Sequence, residues 1–423
     1  MRIRQTERAL RLAETLGGKG GLNCVAELDP TALAQAEAQA ARTGEALPLP
    51  GVPILVKDNV DVRGLHTTAG SLALADNLAR ADAPVIRRLR ENGAVILGKT
   101  NMTEFANYTT DGMPGGYSSR GGQVIHAADP ALSPSGSSSG SAVAVAAGIV
   151  PMAVGTDTSF SVTACAKANG ICGLKPPAGA LSAEGIVPIA RTLDSAGAMA
   201  ASFADALKLY SAMREEPLPS VEPLPPAGLR IAVNRANWDR LPEEEKDLHR
   251  RLIDRLRAEG AAVGELLQPP VPQVATIMKW EFRPMLEDYL RRSSAARKTL
   301  AEIVEYYESH PETMMKYGDA CLRAALDETP GGLTGKPYLE ALEARREAIP
   351  RVRAELAACD AVLMTGPTNV MHFCGLPSVT VAGGPKTAHG VSRAVILYGT
   401  EERRLYGVAL TVEGIMTRRT SGD

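Results

Sequence analysis

Three short stretches hold residue types that could carry out acyl chemistry. The first is the run Ser135-Gly136-Ser137-Ser138-Ser139-Gly140-Ser141. No packed strand or helix interior favours it, because glycine costs backbone entropy and serine competes for backbone hydrogen bonds. The second is a polar turn, Gly155-Thr156-Asp157-Thr158-Ser159-Phe160-Ser161, separated from the first by a small-residue helix (Ala142–Ala147), Gly148 and an apolar run, Ile149–Val154. The third is Lys57, which closes the apolar run Ile54–Val56 just ahead of the turn-forming Asp58-Asn59. Hydroxyl-rich turns flanking a helix and a buried run expose N–H and O–H groups that need a use. They read as an active site.

Three chemistries compete for the Ser/Gly run. A phosphate cradle is the poorest, because no G-x-x-x-x-G-K-[ST] occurs and no lysine follows the run before Lys167. Gly136-Ser137-Ser138-Ser139-Gly140 formally fits G-x-S-x-G and would make Ser138 a nucleophile. That mechanism needs a downstream histidine. His249, His310, His372 and His389 are available, yet none lies in a segment that the sequence ties to the site. The third chemistry pairs serines with a lysine. A lysine that ends a buried strand is usually a surface cap, but desolvation lowers its pKa and can leave it a neutral base.

Several linked blocks resemble the amidase-signature family of serine amidohydrolases, whose core reads roughly GGSSGGS, GTDTGGSIR and GLKPT. Here these appear as SGSSSGS, GTDTSFSVT and GLKPP, with the upstream lysine segment as GVPILVKDN, and together they run from about Gly51 to Met199. By this resemblance Ser161 is the nucleophile, Ser137 a proton relay in a cis peptide bond, and Lys57 the base. Ser138 and Asp157 support them. The backbone N–H groups of Thr158, Ser159, Phe160 and Ser161 would stabilise the oxyanion. The resemblance implies hydrolysis of a small-molecule carboxamide through an acyl-enzyme, with no metal and no organic cofactor. The alternatives are a non-catalytic amide binder and the glutaminase-type subunit of an amidotransferase.

Some positions depart from the family pattern. Ser159 and Phe160 replace two glycines, Ser139 replaces a third, and Thr163 stands where an arginine is usual. Phenylalanine at an oxyanion position is expected to keep a negative φ, since φ > 0 is costly for a bulky residue. Without the arginine, any charge partner of Asp157 must come from elsewhere.

The elements that position these residues alternate as strands and helices. Helices are expected over Thr6–Leu16, Asp29–Thr43, Ala83–Asn92, Met102–Asn107 and Ala201–Ala212, and strands over Leu22–Leu28, Ile54–Val56 and Ala94–Leu97. That grammar gives an α/β fold with a mixed sheet and helices on both faces. The long loop Asn107–Gln123, rich in Gly, Ser and Tyr, is expected to form one wall of the cleft. Glu215–Ala227 is Pro-rich and reads as a linker. Beyond it come a strand at Leu229–Val233, a helix at Glu243–Glu259 and charged helical text over Val274–Asp327. A further helix covers Tyr338–Cys359, so a helical insertion spans about 274–358, and the stripe Trp280–Tyr307 resembles the insertion of the peptide-amidase branch. Strands at Asp360–Met364, Ser378–Ala382 and Ala394–Leu397 return the chain to one sheet, so that 1–423 form one domain with the signature in 51–200.

Composition bounds the rest. The 423 residues are 45% apolar and 22% charged with net charge −2, ordinary for a globular protein and no sign of a nucleic-acid or anionic-membrane partner. Six scattered cysteines form no CxxC pair or zinc spacing. No secretory h-region or membrane-length apolar run is apparent, so a cytoplasmic location with reduced thiols is the expectation. Homo-oligomerisation is left open.

Overall fold

The computed structural model describes residues 2–42, 44–330 and 332–418. Eleven strands form one mixed sheet: β1 (Val25–Leu28), β2 (Pro53–Lys57), β3 (Val95–Thr100), β6 (Met152–Asp157), β7 (Cys172–Lys175), β8 (Ser195–Ala200), β9 (Arg230–Asn234), β10 (Ala262–Leu266), β11 (Ala361–Met364), β12 (Ser378–Lys386) and β13 (Ser392–Tyr398). A separate two-stranded ribbon, β4 (Tyr117–Ser118) with β5 (Gly122–Gln123), lies within the long loop. The spatial order in the sheet is β1-β3-β2-β6-β8-β7-β12-β13-β11-β9-β10. β2 runs parallel to both β3 and β6, with Val56 opposite Val154. Lys57 and Asp157 therefore end neighbouring strands at the same edge, the carboxyl edge where open α/β sheets place their ligands.

Alternation along the strands assigns the two faces. Ile54, Val56, Met152, Val154, Ile231, Val233 and Leu363 point into one large apolar cluster. The opposite face carries two. One joins Leu55 and Ala153 with Ala142–Val145. The other joins Val362 and Met364 with the helical insertion. Lys57 has the parity of Leu55, and Asp157 that of Ala153, so both lie on this divided face.

The insertion comprises helices Gln273–Arg292, Leu300–Ser309, Pro311–Met314, Ala320–Asp327 and Lys336–Leu356. Trp280, Phe282 and Tyr307 are buried in it, facing the core as the apolar stripe requires. The expected helix Asp29–Thr43 is shorter, Ala32–Ala41, and Thr43 lies outside the described residues. Met102–Asn107 differs more. It is a 3-10 turn over Glu104–Asn107 with left-handed backbone at Phe105 (φ 44°) and Ala106 (φ 55°). The turn is held by Phe105 N–H donating to Ala69 O (2.8 Å) and by the Phe105 ring set edge-on to Phe282.

Residues 215–227 have no regular structure, and the strands on either side of them, β8 and β9, share one sheet. Leu218, Val221 and Leu224 pack against the main core, and Gly407 of the closing helix Glu402–Thr417 sits against Leu224. The stretch is a packed strap. No helix among the described residues is long and apolar enough to cross a membrane.

Candidate active site

Lys57 is fully buried. Desolvation lowers its pKa to about 7, with Cys165, Asp157 and Asp194 pulling the other way. Its Nζ lies 2.7 Å from Ser137 Oγ, 2.8 Å from Thr156 Oγ1 and 3.2 Å from Thr156 O. A neutral amine has two N–H donors and one lone pair. The Thr156 carbonyl only accepts and takes one of those donors. The Ser137 and Thr156 hydroxyls can each donate or accept, and a Ser137 O–H directed at the lone pair would make Lys57 its base.

Ser138, Ser139 and Ser141 are occupied with the fold. Ser138 Oγ donates to Thr156 O (3.1 Å), Ser139 Oγ to Ser135 O (2.5 Å) and Ser141 Oγ to Val154 O (2.9 Å). These bonds moor the helix Ser139–Ala146 to its surroundings, β6 among them. Gly140 is required by its close approach to the chain, since a Cβ there would stand 2.3 Å from Asn101 O. Only Ser137 is turned to the lysine, and the Gly136–Ser137 peptide bond is cis. No histidine bonds Ser138 among the described residues, as the G-x-S-x-G reading would require; its hydroxyl is given to Thr156 O.

Ser161 lies in the turn after β6, 7% exposed, and Ser138 N–H donates to its carbonyl (3.3 Å). Among the described residues its hydroxyl makes no hydrogen bond, so the Ser137–Ser161 link is not closed in this structure. The N–H groups of Thr158, Ser159 and Ser161 likewise have no partner among the described residues. Thr158 and Ser161 are buried and Ser159 half-buried, and these donors lie in the same turn as that hydroxyl. Thr158 is fixed by its own Oγ1, which donates to Asp194 Oδ1 (2.6 Å). Burial raises Asp194 to about 7, against the bonds it accepts from Thr158, Ala190 and Ile189.

Two expectations for this turn are corrected. Phe160 does not keep a negative φ: its φ is +71°. Its ring packs against His372 with centroids 4.6 Å apart. Its N–H, expected to face the oxyanion with the other three, is directed at His372 Nε2 (3.1 Å). The second correction concerns the histidines, none of which the sequence tied to the site. His372, on the short helix Val370–Phe373, lies in it, with Nε2 3.0 Å from Asp157 Oδ1 and both side chains fully buried. Asp157 Oδ2 accepts Val162 N–H (2.7 Å) and Thr163 N–H (3.3 Å). Burial alone would raise Asp157, but His372, the Val162 N–H and Lys175 outweigh it and hold the carboxyl at about 2.

The long loop meets the site as a wall. Gly115 abuts the backbone of Ser135, and Gly116 N–H donates to Thr103 Oγ1 (2.8 Å). Buried Glu104 accepts Ser119 N–H (2.6 Å) and the Tyr307 hydroxyl, tying this wall to the insertion. Among the described residues no group of three or more His, Cys, Asp or Glu could hold a metal.

A buried lysine facing a cis-serine, beside a second serine whose turn carries unpaired N–H groups, is the layout of a serine-dependent acyl-transfer site. Sequence and structure comparisons give it a family. The family model described as "Amidase" matches residues 8–373, and the chain belongs to the amidase family. It is 32% identical over 396 residues to a probable amidase of Arabidopsis thaliana, covering 86% of this chain and 77% of that one. It is similar to native peptide amidase from Stenotrophomonas maltophilia, with TM-score 0.90 and 32% identity over 99% of this chain and 94% of that one. A glutamyl-tRNA(Gln) amidotransferase subunit from Deinococcus radiodurans is 40% identical over 264 residues, and there the match spans 59% of this chain and 54% of the relative.

Proposed function

We propose that the chain hydrolyses linear carboxamides, peptide-like ones foremost, with Ser161 as nucleophile, Ser137 as relay and Lys57 as base. The observation that carries this is the fully buried Lys57 amine, whose Nζ lies 2.7 Å from Ser137 Oγ. Lys57 takes the Ser137 proton as Ser137 takes that of Ser161, and Ser161 Oγ bonds to the amide carbon. The oxygen of that carbonyl, now anionic, lies among the N–H groups of the turn. The C–N bond then breaks, the proton returns through Ser137 to the departing ammonia or amine, and water repeats the cycle on the acyl-enzyme. The six unpaired cysteines suit the reducing cytoplasm.

The test is a pH profile on a panel of carboxamides. The active lysine is the unprotonated one, so kcat/KM should climb as pH rises through about 7 and level above it. Lys57→Ala should lose about 10²-fold or more in rate, and this limb with it. A flat profile in the wild type would exclude Lys57 as the base.

The amidotransferase relatives favour a second reading, glutaminase action within a complex. Ammonia release from free glutamine that depends on added partner subunits would support it. Hydrolysis of peptide-like amides by the isolated chain would not. The insertion and the cover of nearly the whole peptide amidase chain favour the first reading.

A further inference from the structure

We propose that His372 is a positioning residue of this reaction: its Nε2–H holds the Asp157 carboxylate and, through it, the turn that presents Ser161. The proposal rests on the Ser161 reading above.

Asp157 is the last residue of β6 and gathers the N–H groups of Val162 and Thr163, the two residues that follow Ser161. The orientation of its carboxylate therefore fixes where the serine stands. A buried carboxylate needs a partner to stay charged. Position 163 does not supply one: Thr163 is buried and its Oγ1 has no partner. Lys175 on β7 acts on Asp157 only through space, because its Nζ donates to Leu376 O (2.9 Å). Among the described residues, the one side chain that hydrogen-bonds Asp157 is His372, which arrives from the far end of the sequence at 3.0 Å.

The proton on the imidazole can be placed by elimination. Nε2 lies 3.0 Å from Asp157 Oδ1 and 3.1 Å from Phe160 N, and one ring nitrogen cannot donate to the first while accepting from the second. An ionised carboxylate only accepts, so Nε2 carries the proton. Nδ1 agrees: it is buried with no partner, and a bare lone pair there costs less than an N–H without an acceptor. In this tautomer the Phe160 N–H, directed at Nε2, has no acceptor among the described residues. Asp157 and Lys175 are the charged groups acting on the ring, one drawing protons to it and the other repelling them.

Histidine-selective 15N NMR of the wild type reads the tautomer directly, without any variant that might misfold. A neutral ring protonated on Nε2 is expected, and a proton on Nδ1 would overturn the proposal. Inactivation by phenylmethylsulfonyl fluoride then separates binding from chemistry, as Ser161 Oγ bonds to sulfur, fluoride leaves and the hydroxyl proton passes to Ser137. His372→Leu, a filled but non-donating site, should lose about 10- to 100-fold in the maximal inactivation rate, with half-saturation changed less than about 3-fold. His372→Gln, whose amide can still donate to Asp157, should recover most of that rate. A folded His372→Leu with wild-type kinetics would refute the role of His372, whereas failure of the wild type to label at Ser161 would refute the site reading beneath it.

Discussion

At the scale of single residues the site depends on what burial does to charge. Lys57 titrates near 7 in the fold against 10.5 for the free side chain, so between these values the unfolded chain binds the extra proton. Stability contributed at this position then rises with pH over that window. Lys57→Met should be more stable than wild type at pH 7, with the difference shrinking towards pH 10, as read by urea unfolding across the range. Phe160 sets a second test. Its left-handed backbone costs about 1–2 kcal/mol, which its packing on His372 partly offsets at about 0.5–1.5 kcal/mol. Phe160→Gly should therefore change stability by less than about 1.5 kcal/mol, while rates on bulky acyl carboxamides rise relative to small ones. Unchanged acyl preference would place the ring outside the acyl pocket. The pairing of Lys57 with Ser137 was legible because both stand in ordered blocks. His372 was not, being 215 residues from Asp157 and set in the apolar text Val-Met-His-Phe. The missing arginine at 163 was the available clue, since a buried carboxylate without it demands a donor from elsewhere.

At the scale of elements, strands rich in Val and Ile such as β2 were readable, while β8 was not. Its sequence, Ser-Ala-Gly-Ala-Met-Ala, has no β-branched residue and weak strand preference. Tertiary context makes it a strand, pairing it with β6 and β7. The turn at Glu104–Asn107 has the same cause, as contacts with the insertion override a local helical preference. The Tyr307–Glu104 bond joins that insertion to the wall of the site. Tyr307→Phe leaves a buried carboxyl short of a donor and should cost about 1–3 kcal/mol in chemical denaturation. It should also speed hydrogen exchange in 115–123. Stability unchanged within about 0.3 kcal/mol would show that the bond contributes nothing net.

At the scale of the whole molecule, one sheet takes strands from both sides of the strap 215–227, although its proline-rich text suggests a break. Such a sheet should unfold as one unit, so we propose a single domain. Circular dichroism and tryptophan fluorescence should give coincident transitions, and cleavage within 215–227 should yield no independently folded half. Two separated transitions would restore the boundary there. The central claim is that Ser161 is the nucleophile and that Ser137 and Lys57 activate it. It is tested most directly by mass spectrometry after exposure to phenylmethylsulfonyl fluoride, for wild type, Ser161→Ala, Ser138→Ala and Lys57→Ala. The expected result is an adduct on Ser161 that vanishes in Ser161→Ala, persists in Ser138→Ala and forms about 10²-fold or more slowly in Lys57→Ala. An adduct on Ser138, or none on a folded wild-type protein, would contradict it.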